Sequence, residues 1–300
     1  MLFKIFKFIF IPIINFPLSR ILRPFSSWIP VKYHFPVIGK YHLQIDTNHS
    51  IYLEGHYTSH LSKLIFWQGV RGWEYDNIRL FIELIQKSDT FLDIGANIGY
   101  YSLLASGLQP HIRTIAFEPF PDAYAALNDN IQINGFKNIQ AESIALSDQK
   151  GTFDFFYKVN PTFKDYKYQL AGDNGLVDYD EDVRQQSTVN TITLDEYMES
   201  QNLDQIDLMK MDTETTEYFI LKGGQKTLSK FQPIIMCEVL KGFHEKELEE
   251  LLRSLNYTFF KVTPMGLKAS DTIIQNKTHQ NQYFFVPTQK HDLIQDLIAS

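Results

Sequence analysis

Three carboxylates and one glycine turn set the chemical possibilities of this chain. Asp93 closes the apolar run Phe91-Leu92 and precedes Gly95-x-Asn97-x-Gly99, after which a helix-forming segment starts at once. Glu118 ends the run Thr114 to Phe117, and Asp212 follows Ile206 to Met211. An apolar run, a tight glycine turn and a helical start describe a strand–turn–helix unit. Such a unit aims backbone N–H groups and the positive end of a helix dipole into a crevice at the carboxyl edge of a sheet. Its ligand carries negative or strongly polar groups.

The turn is not that of a dinucleotide site. A pyrophosphate needs glycine at the second position of the fingerprint so that the backbone can approach it. Here that position is Asn97, whose amide offers a donor and an acceptor to a zwitterion. Asp93 would repel a diphosphate but could receive an ammonium. Glu118 lies 19 residues after Gly99, the distance at which a second strand end can grip ribose hydroxyls. A ligand with an amino-acid end, a positive centre and a nucleoside satisfies all of this, and S-adenosylmethionine is such a ligand.

The elements that must position these groups alternate. Phe91 to Ile94 is predicted as a strand and Ile98 to Ser106 as a helix; Thr114 to Glu118 is a strand and Pro121 to Ile133 a helix; Ile139 to Leu146 is a third strand and Thr152 to Tyr157 another extended segment. Residues 158–188 read as a loop insert with an acidic cluster, Asp178, Asp180, Glu181 and Asp182, in the role of solvated surface or of a lid over the acceptor. The alternation resumes with Ile206 to Met211, helical Thr216 to Leu221, strand Ile234 to Val239 and helix Glu245 to Ser254, and closes on Tyr257 to Val262 and Gln282 to Val286. Strand and helix in turn predict an α/β domain over 89–300 with a mostly parallel sheet. Ahead of it, residues 36–88 are expected to form a β-hairpin around a turn at Asp46 to Ser50 and an amphipathic helix within Trp73 to Gln86.

Composition narrows the class. A hydrophobic content of 44% supports a packed core, and a net charge of −7 without a Lys/Arg stripe argues against a nucleic-acid partner. The single cysteine, Cys237, fits a reducing compartment, which makes the expected location cytoplasmic. Residues 1–35 form an apolar and basic extension. Within its first 25 residues stand Lys4, Lys7, Arg20 and Arg23 and no acid, while the uncharged stretch Phe8 to Ser19 is too short to span a bilayer. Peripheral membrane contact through residues 1–25 is one reading; packing across the domain or against a dimer partner is the other. His49, His56 and His60 lack a carboxylate or cysteine at ligand spacing and read as ordinary surface or packing histidines, so no metal site is expected.

At this point the chain resembles the FkbM family of S-adenosylmethionine-dependent methyltransferases. The likeness is carried by FLDIGANIGYYSLLA, AFEPFPDAYAALNDNIQING (116–135), IALSDQKG (144–151), TITLDEY (191–197) and IDLMKMDTETTEYFILKGG (206–224). It implies a class I methyltransferase (Rossmann-like) fold, a seven-stranded sheet with the last strand antiparallel. It also implies methyl transfer to a hydroxyl of a sugar, glycan or natural-product acceptor. By position, Gly95, Asn97, Gly99 and Tyr100 would lie under the methionine end, Glu118 on the ribose, Ile144 and Ala145 near the adenine, and Asp212 beside the methyl group. The family reads D-x-E-G-x-E where this chain has Asp212-Thr213-Glu214-Thr215-Thr216-Glu217, so Thr215 stands at a glycine position.

A hydroxyl acceptor gains acidity as its bond to the methyl carbon forms, so a nearby base can take its proton. Asp212 and Glu214 are the candidates, with Glu238 and His244 in reserve; paired acids could alternatively hold a divalent metal. Two rival classes share the layout. A nicotinamide-dependent sugar dehydrogenase or epimerase would need a dinucleotide turn and a Tyr-x-x-x-Lys pair, whereas Tyr101 and Tyr157 have no lysine four residues on. A non-catalytic scaffold of the same fold is the other rival, made thinkable by Thr215.

Overall fold

The computed structural model describes residues 15–158, 168, 170, 184–274 and 281–299. The segment 1–14 and the acidic cluster Asp178 to Asp182 lie outside the described residues. A short helix α1 (Phe16–Leu22) and a 3-10 turn (Arg23–Trp28) lead to the expected hairpin, β1 (Gly39–Gln44) with β2 (Ser50–Gly55). Its turn is set by Asp46, whose carboxylate accepts the N–H groups of Asn48 and His49 at 2.7 and 2.9 Å. Helix α2 (His60–Gln68) follows, capped by Ser59, whose hydroxyl accepts the Ser62 N–H at 3.0 Å. Such a cap contributes about 1 kcal/mol. Helix α3 (Tyr75–Ile85) buries Ile78, Phe81, Leu84 and Ile85 along one stripe, as its sequence period requires.

The alternation then proceeds through β3 (Thr90–Ile94), α4 (Tyr100–Leu108), β4 (Arg113–Phe117), α5 (Pro121–Asn134) and β5 (Ile139–Glu142). The expected third strand breaks at Ser143-Ile144, and its second half, β6 (Ala145–Ser147), joins β7 (Gly151–Lys158) and β8 (Arg184–Thr193) in a separate three-stranded sheet. Residues 184–188 are therefore strand rather than loop insert. After α6 (Leu194–Ser200) come β9 (Leu208–Met211), α7 (Glu217–Lys222), α8 (Gln225–Phe231), β10 (Ile234–Val239), α9 (Glu245–Ser254), β11 (Tyr257–Thr263), β12 (Gly266–Ser270) and β13 (Asn281–Pro287).

The large sheet runs β12-β11-β13-β10-β9-β3-β4-β5. Strands β10, β9, β3, β4 and β5 are mutually parallel, and β13 runs antiparallel between β10 and β11. The seven strands expected of a class I methyltransferase fold are present, with β12 added as an eighth by a hairpin at the edge. Burial follows the two-residue period of a strand. Phe91, Leu208 and Met236 enter one core, shared with the hairpin and α2 to α4, while Leu92, Ile94, Met209 and Met211 enter the other. The hairpin and lead-in helices thus pack on one face of the sheet through Leu43, Ile51, Ile65, Phe66 and Phe81. No helix among the described residues is long and apolar enough to cross a membrane.

Candidate active site

The carboxyl ends of β3, β4, β9 and β10 border a cleft of about 660 Å³. Its floor is the turn after β3. Gly95 (φ +77°), Asn97 (φ +52°) and Gly99 (φ +85°) all take left-handed backbone, which glycine adopts freely and asparagine tolerates. A Cβ on Gly95 would overlap the main-chain carbonyl of Asp212, and one on Gly99 would strike Leu127, so both glycines are also required by close approach. The Gly95 and Ala96 N–H groups both donate to the Phe117 carbonyl at 3.0 and 2.9 Å, which ties the turn to the neighbouring strand.

Glu118 stands on the rim at the end of β4. Its Oε2 accepts the Asn97 N–H at 2.7 Å and its Oε1 accepts the Phe120 N–H at 2.8 Å. Burial outweighs these two donors and pushes its carboxyl up to about 7. Ile144 and Ala145 line the next wall with Phe120 and Leu146. Tyr100 also lines the cleft; its hydroxyl is buried and has no hydrogen-bond partner among the described residues.

Asp93 is placed differently from expectation. Its side chain is fully buried and lies behind the turn instead of lining the cleft. Its Oδ2 accepts the N–H and the hydroxyl of Ser102 at 3.0 and 2.6 Å, which fastens the first turn of α4 to β3. Its Oδ1 faces the ammonium of Lys210 at 3.9 Å. The cation that meets Asp93 is therefore the protein's own lysine. Lys210 Nζ also donates to the Gly95 carbonyl at 3.2 Å and lies 3.4 Å from Asp212 Oδ2. Burial works against the lysine's charge, but Asp212, Asp93 and Glu74 overcome it and raise its pKa.

At the mouth, Asp212 is joined by Glu214, Glu238 and Glu74. Glu238 hydrogen-bonds Asp212, and burial, then Asp212 and Glu74, push its carboxyl up to about 9. The Glu238 carboxyl therefore holds its proton at neutral pH and can donate it to the Asp212 carboxyl. Glu74 accepts the Tyr101 hydroxyl at 2.8 Å, and burial followed by Asp212 raises its pKa. Glu214 (φ +54°) and Thr215 (φ +85°) make the turn into α7 in consecutive left-handed conformations. Glu217 braces that turn, its Oε1 accepting the N–H and hydroxyl of Thr213, each at 2.9 Å.

The residues that sequence reasoning did not select are Lys210, Glu74 and the wall formed by His60 and Trp73, together with Glu217, which braces the turn through Thr213. Lys210 carried a legible signal, because a lysine inside the apolar run Leu208 to Met211 of a central strand requires a counter-charge. His60 reaches the cleft and rests edge-on to Trp73, with ring centroids 6.4 Å apart. His49 is held by Asp46 at 2.8 Å. His244 stacks on Tyr218 at 5.4 Å and does not line the cleft. Among the described residues no group of three or more His, Cys, Asp or Glu side chains is arranged to hold a metal ion.

The cleft thus presents the Glu118 carboxyl oxygens, an apolar wall of Ile144, Ala145 and Leu146, and a mouth lined by Asp212, Glu214, Glu238 and Glu74.

The Methyltransferase FkbM domain matches residues 93–259. The hexuronic acid methyltransferase AglP of Haloferax volcanii is 26% identical over 179 residues, 60% of this chain and 67% of that protein. The 2-O-methyltransferase NoeI of Sinorhizobium fredii is 31% identical over 160 residues, 51% of this chain and 64% of that protein, so the match spans about two thirds of each relative. A solved FkbM methyltransferase from Methylobacillus flagellatus KT aligns with 66% of this chain and 43% of its own length, at 15% identity and a TM-score of 0.41. The chain belongs to the FkbM family of methyltransferases.

Proposed function

We propose that the chain transfers a methyl group from S-adenosylmethionine to a hydroxyl of a sugar or glycan acceptor, with Asp212 as the base. The observation that carries this reading is the Asp212–Glu238 pair, one carboxyl beside the Lys210 ammonium and hydrogen-bonded to one that burial keeps protonated, at the mouth of a cleft that Glu118 also lines. The donor would supply a methyl group on a cationic sulfur. Gly95, Asn97, Gly99 and Tyr100 would hold its methionine end, Glu118 its ribose, and Ile144 with Ala145 its adenine. Alignment of donor and acceptor accounts for most of the acceleration in such an in-line displacement. As the acceptor oxygen bonds the methyl carbon, the carbon–sulfur pair leaves with sulfur and the hydroxyl proton passes to Asp212. Glu214 is the second base within the same mouth. The sugar acceptor is supported by the names of the two curated relatives, which act on a hexuronic acid and at a 2-hydroxyl.

We further propose that the domain of 89–300 works in the cytoplasm and that residues 1–25 touch a membrane surface. The test of the catalytic reading is binding calorimetry with S-adenosylmethionine, followed by transfer of labelled methyl to hexuronic acid and hexose glycosides. Binding that vanishes in Glu118→Ala, with label in the sugar, supports it. A wild-type protein that ignores S-adenosylmethionine would falsify it.

A further inference from the structure

Away from the cleft, a second cavity of about 420 Å³ lies between the 3-10 turn Arg23–Trp28 and the end of α2. Arg23, Ser26, Ser27, Gln68 and Arg71 surround it, with the Phe66 ring at its base and no carboxylate in its walls. Arg23 is half-buried, with its guanidinium 4.8 Å above the Phe66 ring and 5.8 Å from that of Tyr41. Arg71 lies over the Tyr75 ring at 5.4 Å. Neither guanidinium makes an ion pair or a hydrogen bond among the described residues. The half-buried Arg23 guanidinium has five donors and no acceptor, and with the exposed Arg71 beside the same hydroxyl-lined cavity it forms a receptor for a phosphate.

The surroundings name its source. Ile21, Phe25, Trp28, Val31 and Tyr33 are all exposed large apolar side chains within thirteen consecutive residues, and Trp28 is 82% exposed. Phe25 and Trp28 have ring centroids 6.0 Å apart. Residues 15–45 carry Arg20, Arg23, Lys32 and Lys40 and no acid, on a protein whose net charge is −7. The collar is fixed to the domain, since the Trp67 indole donates to the Phe35 carbonyl at 2.9 Å and His34 stacks on Trp67 at 4.8 Å. Aromatic rings beside cations, on one positive edge of an acidic protein, complement an anionic bilayer surface.

We propose that Arg23 and Arg71 clasp the headgroup phosphate of an anionic lipid while Phe25 and Trp28 enter the interface. The proposal rests on the membrane reading of the N-terminus and not on the methyltransferase reading. Its test is sedimentation of the full chain with phosphatidylcholine vesicles that do or do not contain phosphatidylglycerol. Wild type is expected to bind only the anionic vesicles, less tightly as salt rises. Arg23→Gln/Arg71→Gln is expected to lose on the order of tenfold in vesicle affinity, while keeping its melting temperature. Emission attributable to Trp28, read as the difference between wild type and Trp28→Phe, should shift to the blue on vesicle addition. Equal binding by the double variant, no binding by wild type, or displacement of vesicles by equimolar inorganic phosphate would each overturn the proposal.

Discussion

Asp93 and Lys210 are register partners on adjacent parallel strands, and their charges meet at 3.9 Å on a sheet face otherwise built of Phe91, Leu208 and Met236. The same lysine reaches the Gly95 carbonyl and Asp212, so one buried ammonium connects the glycine turn, the strand behind it and the proposed base. A lone charge there would be costly to bury; the arrangement holds because the ammonium and the carboxyl groups around it offset one another.

Replacing Lys210 tests that linkage. Lys210→Met leaves Asp93 and Asp212 without a counter-charge, and about 3–5 kcal/mol of stability should be lost. Asp93→Asn in the same background should recover part of that loss, because the amide keeps an acceptor for Ser102 without the charge. Chemical denaturation of the two single variants and the double variant measures the coupling. Strictly additive losses would sink the account.

The Glu118 carboxyl, raised to about 7 against an ordinary 4.5, gives a pH signature. Because the folded value is the higher one, the group contributes stability that is full below the ordinary value and lost as pH rises through about 7. Ribose hydroxyls donate to the ionised form, so cofactor binding should release a proton at pH 6 to 7, and affinity should fall by up to about tenfold per unit below that. Calorimetry at pH 6 in buffers of different ionisation heat reads the proton count. Glu118→Gln should abolish the release, and an unchanged proton count in that variant would refute the assignment.

The period-2 rule made much of this site legible. Strand ends placed Glu118 and Asp212 on the cleft rim, and the glycine turn between strand and helix forms as expected, with Gly95, Asn97 and Gly99 in left-handed backbone. The same parity, applied inward, puts Asp93 on the face that Lys210 shares, which is why its carboxylate is spent inside the protein. Glu74 was not legible. It reaches the site only because α3 packs on α4, bringing it to Tyr101, 27 residues away in sequence. The break at Ser143-Ile144 was hidden too, because Ile139 to Leu146 is apolar enough for one strand while its halves join two sheets.

Thr215 occupies a family glycine position at φ +85°, directly after Glu214 at φ +54°. A β-branched residue held there stores on the order of 1–3 kcal/mol of backbone strain. Thr215→Gly should therefore stabilise the protein by about 1 kcal/mol after the added flexibility of the unfolded chain is deducted. Thr215→Ala, which keeps a Cβ at the same φ, should show no such gain. Differential scanning calorimetry of the pair separates them, and equal melting temperatures would remove strain as the explanation.

The shared proton at the mouth distinguishes the roles of Asp212 and Glu238. Asp212→Asn removes the acceptor for the substrate proton but leaves the donor cleft nearly unchanged. Its kcat should fall about 10²- to 10⁴-fold, with S-adenosylmethionine affinity held within a few-fold. Glu238→Gln can still donate to Asp212, so its kcat should change by less than about tenfold at neutral pH. The wild-type rate should also change again near the Glu238 value of about 9, where ionisation places a negative charge beside Asp212. Glu238→Gln should erase that alkaline limb. Rate profiles for the three proteins decide the matter: an alkaline limb that survives in Glu238→Gln belongs to another group, and an Asp212→Asn enzyme of near-normal kcat passes the role of base to Glu214.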